Sequence, residues 1–230
     1  MLYAISMSIK DAAVPEDFLY SDYLTFFEKL GCTLIFIPNA SEKIESYFDD
    51  LPIKGVILSG GNDLSSEFTG QKNIDIRNAA PLRDLKEKRL LDISVSRKLP
   101  VFGICRGMQF INCYFGGSLT QNLAKQESED LHIAKTHIVS LCDKKAVEFL
   151  AKSEIEVNSY HHQGIRRDQV SAQLKIMGVC AKDNLVEALF HPLLPIAGVQ
   201  WHPERVSPSF DDGCKLAKAF INRELYWKED

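Results

Sequence analysis

The sequence predicts an α/β protein with an open, mostly parallel sheet flanked by helices and a small antiparallel extension. Three observations carry this. In the first half, short apolar runs alternate with helical patterns in the order β-α-β-α-β-α-β. Val101-Phe102-Gly103-Ile104 has no polar alternation, the mark of a strand covered on both faces. The second half is richer in strands, which gives the material for antiparallel pairing.

Each element has a local reason. Leu2–Ser6 is a short apolar strand, and Asp22–Leu30 a helix with Leu24, Phe27 and Leu30 at helical spacing and Gly31 as its stop. Thr33–Ile37 is a β-branched strand ended by Pro38, and Ser41 is expected to cap a short helix running to about Asp49. Gly55–Leu58 is a strand that runs into Ser59-Gly60-Gly61. Pro81 at the first helical position opens a long helix to about Lys98, with Leu82, Leu85, Leu90 and Ile93 as its apolar stripe. After the strand Val101–Ile104 a helix is expected from about Met108. His137–Leu141, Ile155–Val157, Leu174–Val179, Leu185–Phe190 and Ile196–Gln200 read as strands, and Asp211–Leu225 as the closing helix. Asn62–Ala80 is polar, aperiodic and long for a loop, which points to function.

Composition bounds the function. The 230 residues are 45% hydrophobic and 25% charged, enough for one well-filled core, so residues 1–230 are expected to form a single domain. The net charge of −4 gives no basic surplus for a nucleic-acid partner. No apolar run reaches the roughly 20 residues that span a bilayer, and the N-terminus lacks a basic segment before its short apolar run. A cytoplasmic protein without a membrane partner is expected. The six cysteines are scattered without a Cys-x-x-Cys pair, so they are read as thiols, mostly buried fillers.

One cysteine stands apart. Gly103-Ile104-Cys105-Arg106-Gly107 lies where the buried strand meets a helix, in Gly-x-nucleophile-x-Gly spacing. Such a turn lifts its central side chain above the sheet edge, and the glycines let neighbouring backbone pass closely. The helix that follows aims its N-terminal amides at the sulfur, which favours thiolate. A tight turn holding a buried cysteine is the plainer alternative. A thiol nucleophile needs a base, and His202 follows the strand Ile196–Gln200, at the sheet edge expected for Cys105. Glu204, two residues on, is placed to orient the imidazole and stabilise its cation. The backbone N–H of Arg106, directly after the nucleophile, is a donor for an oxyanion.

These residues resemble the class I glutamine amidotransferase-like superfamily, and within it the γ-glutamyl hydrolase branch, peptidase family C26. The resemblance rests on Gly55–Gly61, Pro81–Asp84, Pro100–Gln109, Gly116–Leu119, Val157–Ile165 and Gly198–Glu204, which occur in the family's order. It implies a flavodoxin-like open sheet with its active site at the strand C-termini, agreeing with the independent reading. It implies Cys105, His202 and Glu204 as a catalytic triad, and Gly61 beside Arg106 as the oxyanion hole. It implies Gly60, Gln109, Ser159, Tyr160 and His161 at the substrate; helical spacing of four also aims Gln109 along the face of Cys105. No cofactor is implied. No metal is expected either, because no acidic or cysteine partner falls at ligand spacing from the histidines.

The implied reaction is hydrolysis of a γ-glutamyl amide through a γ-glutamyl thioester, with release of glutamate from a small-molecule substrate. One compatible substrate is γ-glutamyl-CDP-amidate, giving cytidine diphosphoramidate for capsular polysaccharide modification. Lys72, Arg77, Arg83, Arg166 and Arg167 are candidate cations for an anionic leaving group, with a solvated charged surface as the plainer alternative. Two alternatives stay open: a glutaminase subunit passing ammonia to a separate synthase, and a catalytically idle regulatory subunit. The oligomeric state is left open.

Overall fold

The computed structural model describes residues 1–10, 14–72, 75–123, 132–208 and 210–228. Its sheet has nine strands. Five are parallel: β1 (Leu2–Ser6), β4 (Thr33–Ile37), β5 (Ile53–Leu58), β6 (Val101–Ile104) and β11 (Ile196–Val199), in the order β4-β1-β5-β6-β11. The antiparallel extension follows as β10 (Val186–Phe190), β9 (Lys175–Cys180), β7 (Ile133–Leu141) and β8 (Glu154–Tyr160). A separate two-stranded ribbon pairs β2 (Ser8–Lys10) with β3 (Glu16–Phe18).

Side chains on a strand alternate between faces, and the two core layers follow that alternation. Tyr3, Ile5, Phe102, Ile104, Ala197 and Val199 enter one layer. They pack there with α1 (Ser21–Lys29) and α7 (Phe210–Asn222), the helices that bring Phe27 and Phe220. Ala4, Val56, Leu58, Val101 and Ile196 enter the other layer, against α2 (Ile44–Asp50), α4 (Pro81–Arg97) and α5 (Arg106–Tyr114). Short helices α3 (Ser66–Thr69) and α6 (Lys144–Leu150) complete the described α-helices, with single 3-10 turns at Arg167–Gln169 and Leu225–Trp227. The strand without polar alternation, β6, is buried along its whole length, as its composition requires. No described helix is long and apolar enough to cross a membrane.

Several local expectations are corrected. On α1 the buried face is Tyr23, Phe26 and Phe27, rotated from the expected stripe, because the Tyr23 hydroxyl is drawn in to accept from the Gly60 N–H at 2.8 Å. Ser41 does not cap α2. Its N–H closes a turn onto the Pro38 carbonyl at 3.1 Å, and the helix starts at Ile44 after Lys43. On α4, Leu82 and Leu85 are exposed, whereas Arg83, Asp84 and Glu87 are buried. The start of α5 is Arg106 rather than Met108. β7 reaches back to Ile133, four residues before the apolar run that marks it in the sequence. Within the 62–80 loop, Ser65 caps α3 by accepting from the Phe68 N–H at 3.2 Å; residues 73–74 lie outside the described residues.

Candidate active site

The parallel strands deliver three segments to one sheet edge: the Ser59-Gly60-Gly61 turn after β5, Cys105 after β6, and His202 after β11. Neighbouring parallel strands point the same way, so their C-terminal loops must meet. Cys105 adopts φ 54°, ψ −108°, a backbone state that L residues avoid and that packing on both sides must hold. Its N–H donates to the Val199 carbonyl of β11 at 2.8 Å. The glycine spacing has its steric reason at Gly107, where a Cβ would lie 2.1 Å from the Leu58 carbonyl oxygen.

His202 Nδ1 and Glu204 Oε1 are 2.6 Å apart, and both side chains are buried. That leaves Nε2 uncommitted to Glu204, and the Cys105 sulfur lies near enough to act on the imidazole's charge. The two groups flank one patch of backbone. A Cβ at Gly60 would sit 2.9 Å from His202 Cε1 and 3.4 Å from Cys105 Cβ. Burial works against charge on the imidazole, but the Glu204 carboxylate and Cys105 outweigh it and hold the His202 pKa up at about 10. The N–H groups of Gly61 and Arg106 are taken by no acceptor among the described residues. Gly61 has φ 125°, and a Cβ there would collide with the Ser8 hydroxyl at 2.1 Å.

The Arg106 side chain has a different task from its N–H. It is buried beneath the elbow and ion-paired to Asp84 and Glu87 of α4. Glu87 also accepts from Arg83 Nε at 2.9 Å, and Arg83 Nη2 donates to the Ser59 carbonyl at 2.7 Å. One buried network therefore joins the Cys105 turn to the Gly60-Gly61 turn, which explains the charged inner face of α4. Arg83 is consequently no candidate for a leaving group.

Two cavities meet at Cys105. The wider, about 550 Å³, includes His202, Tyr160, Arg205, Lys10 and Tyr20 in its wall. The narrower, about 40 Å³, is lined by Asp63, Arg106, Gln109, His161 and Gln163 and does not touch His202. Gly61, Asn62 and Tyr160 line both. Gln109 is held by donation to the Gln163 carbonyl at 3.0 Å and to Gln200 Oε1 at 3.1 Å. Ser159 lines neither cavity, which corrects its expected place at the substrate. Residues alternate along β8, so Asn158 and Tyr160 face the site while the Ser159 hydroxyl turns inward to the His132 carbonyl at 2.9 Å. Lys72, Arg77, Arg166 and Arg167 line neither cavity; the cations that do so are Lys10, Arg106 and Arg205.

Three contributors were not singled out from the sequence. Asn158 clamps His202 from β8, accepting from its N–H at 2.9 Å and donating to its carbonyl at 2.8 Å. Gln200 directs its amide at the Cys105 sulfur, 3.6 Å away. Tyr23 fixes Gly60. Asn158 and Gln200 fall inside the segments that carried the family resemblance; Tyr23 left no signal beyond its helix.

Behind the site lies a buried cluster. Ligand atoms of His132, His137 and Glu187 lie within 4.8 Å of one another, as do those of His132, Cys180 and Asp183. Glu187 Oε1 is 3.3 Å from His137 Nε2 and 3.7 Å from His161 Nε2, close enough for charge, but neither contact is a hydrogen bond. Spacing along the chain gave the histidines no acidic or cysteine partners; β9, β10 and the turn between them supply these in three dimensions. The cluster offers the donor set for a divalent cation.

The fold is that of the glutamine amidotransferase-like class. A glutamine amidotransferase from Thermotoga maritima superposes with a TM-score of 0.58 at 16% identity, covering 96% of this chain and 84% of that one. The glutaminase domain of Trypanosoma brucei CTPS with bound acivicin gives 0.66 at 17% identity, covering 98% and 96%. The sequence profile of peptidase C26 matches residues 4–204, and the chain belongs to that family. It is 35% identical to γ-glutamyl-CDP-amidate hydrolase of Campylobacter jejuni over 172 residues, 74% of this chain and 70% of that one. It is 31% identical to γ-glutamyl-γ-aminobutyrate hydrolase PuuD of Escherichia coli K12 over 218 residues, 88% and 85%. The protein is thus a hydrolase of the γ-glutamyl class, acting on C–N bonds.

Proposed function

We propose that the protein hydrolyses a γ-glutamyl amide through a thioester on Cys105, with His202 and Glu204 completing the triad. The observation that carries this is the buried His202 ring, fixed by Glu204 Oε1 at 2.6 Å and flanking the same Gly60 backbone as Cys105 at the C-terminal edge of the sheet. The sulfur attacks the γ-carbonyl carbon, and negative charge develops on the carbonyl oxygen. The free N–H groups of Gly61 and Arg106 stabilise that oxyanion. As the C–N bond breaks, the proton on His202 passes to the departing nitrogen. Water then loses a proton to His202 as it adds to the thioester carbon, the C–S bond breaks, and glutamate leaves.

The narrower cavity suits the glutamyl end, because Asp63 offers a carboxylate for the α-ammonium and the buried side-chain amide of Gln163 makes no hydrogen bond among the described residues. Gly60, Gln109, Tyr160 and His161 border this region and form the rest of the substrate site. Among substrates, γ-glutamyl-CDP-amidate is favoured, and the likeness to an enzyme of that name supports it. The test is glutamate release from γ-glutamyl anilide, glutamine and γ-glutamyl-CDP-amidate, with Cys105→Ala as control. Release that survives Cys105→Ala, or is absent from all three, rejects the reading. Strong glutamine turnover only with an added partner protein would instead favour a glutaminase subunit.

A further inference from the structure

Resting on the reading of Cys105 as nucleophile, the geometry points to the wider cavity as a subsite for a polyanionic leaving group with a planar ring, of the nucleoside diphosphate kind. The direction of the reaction comes first. His202 must protonate the departing nitrogen, so the leaving group lies on the His202 side of the sulfur. Among the described residues His202 lines the wider cavity and not the narrower one, which instead takes in Arg106, Gln109 and His161.

The wall of that cavity then states what it accepts. It holds two cations, Arg205 and Lys10, the latter 3.8 Å from the exposed Glu16 carboxylate on the paired strand, and no carboxylate among the described residues lines the wall itself. The Arg205 guanidinium lies 4.7 Å from the Tyr160 ring and 5.6 Å from the Tyr20 ring. Contact with two ring faces restrains the guanidinium without using its N–H donors, which stay available for an oxyanion. Among the described residues Arg205 makes no side-chain hydrogen bond, and its ionic contact is Nε to Glu204 Oε1 at 3.9 Å. Tyr20 and Tyr160 are about half exposed, at 51% and 46%, so they present ring faces to whatever enters. Phe18 stands beside Tyr20, their centroids 5.5 Å apart, in the same wall. A short aliphatic leaving group with one carboxylate would engage one cation and leave the rings and most of the 550 Å³ unfilled. Two phosphates and a base use all three features.

The experiment has two arms. Cytidine diphosphate is titrated calorimetrically into the wild-type protein, Arg205→Ala and Lys10→Ala. Binding to the wild type, weakened on the order of ten-fold by each substitution, is expected; no binding, or equal binding to all three proteins, overturns the subsite. In the second arm, kcat and KM are measured with γ-glutamyl-CDP-amidate, γ-glutamyl-γ-aminobutyrate and γ-glutamyl anilide. Arg205→Ala should raise KM for the diphosphate on the order of ten-fold more than for the anilide. An equal loss on all three substrates, or a wild-type preference for the γ-aminobutyrate amide, overturns the inference. Diphosphate binding that is sensitive to Arg205 without turnover of any substrate would sink the catalytic reading alone and leave the subsite standing.

Discussion

With Glu204 on Nδ1 and the charge of Cys105 nearby, the His202 ring keeps its proton up to about pH 10. A cationic imidazole beside the sulfur is the form that protonates a leaving amide, so kcat/KM should fall on the alkaline side as His202 is deprotonated. Glu204→Gln removes the leading charge that raises this pKa. The alkaline limb should therefore move to lower pH, and turnover should fall by less than in Cys105→Ala, which should abolish it. An unmoved limb in a pH–rate profile would contradict the role given to Glu204. Thiol labelling reads the same residue differently. Burial pushes the Cys32 thiol up to about 11 and those of Cys113 and Cys180 up to about 12. Cys105 should be alkylated ahead of all three, as followed by peptide mass spectrometry.

At the scale of the element, the turn that carries Cys105 is held by steric fit on one side and charge on the other. Gly107→Ala would force a methyl against the Leu58 carbonyl of β5, so a loss of roughly 2–4 kcal/mol in urea unfolding is expected. Glu87→Ala leaves Arg83 and Arg106 buried with one acidic partner fewer, and should cost roughly 3–5 kcal/mol. If Glu87→Ala unfolds at wild-type urea concentration, the network does not hold the elbow. Here the limits of local pattern are plain. The Leu82 and Leu85 stripe on α4 obeyed helical spacing, yet the helix buries Arg83, Asp84 and Glu87, since Arg106 arrives from twenty residues further on to pair with them. β6 and the elbow were legible because both faces of that strand are apolar and the glycine spacing is local.

Across the whole molecule, several buried groups make stability vary with pH, and Glu187, His161 and His202 show the two opposing senses. Burial alone would raise the Glu187 pKa, but His137 and His161 outweigh it and hold it at about 2. Its contribution, on the order of 3 kcal/mol, is present above about pH 4.5 and is lost as pH falls toward 2. His161 is buried with its pKa lowered below 6.5, so the unfolded chain gains a proton that the folded one refuses, and stability also declines below pH 6.5. His202 acts in the opposite sense. Its raised pKa gives stability that is complete below pH 6.5 and lost as pH rises toward about 10. Urea midpoints plotted against pH should peak near 6.5. Glu187→Gln should flatten the decline between pH 4.5 and 2, and an unchanged slope there would show that this carboxyl is not held as described.

By itself the sequence determined the elements of the parallel half, the strained cysteine turn, and the histidine and glutamate two residues apart, because each is written in spacing shorter than one or two turns of chain. Only the tertiary structure decided which way those parts face. Strand alternation turned Ser159 away from the site and Asn158 and Tyr160 toward it. Long-range packing buried Arg83 and brought forward Lys10 and Arg205, which no local pattern marked. The same packing gathered His137 from β7, Glu187 from β10, His132 from just before β7 and His161 from the turn after β8. The physical reason is that burial and pairing belong to contacts between distant segments, and a linear pattern encodes those only after the sheet has closed.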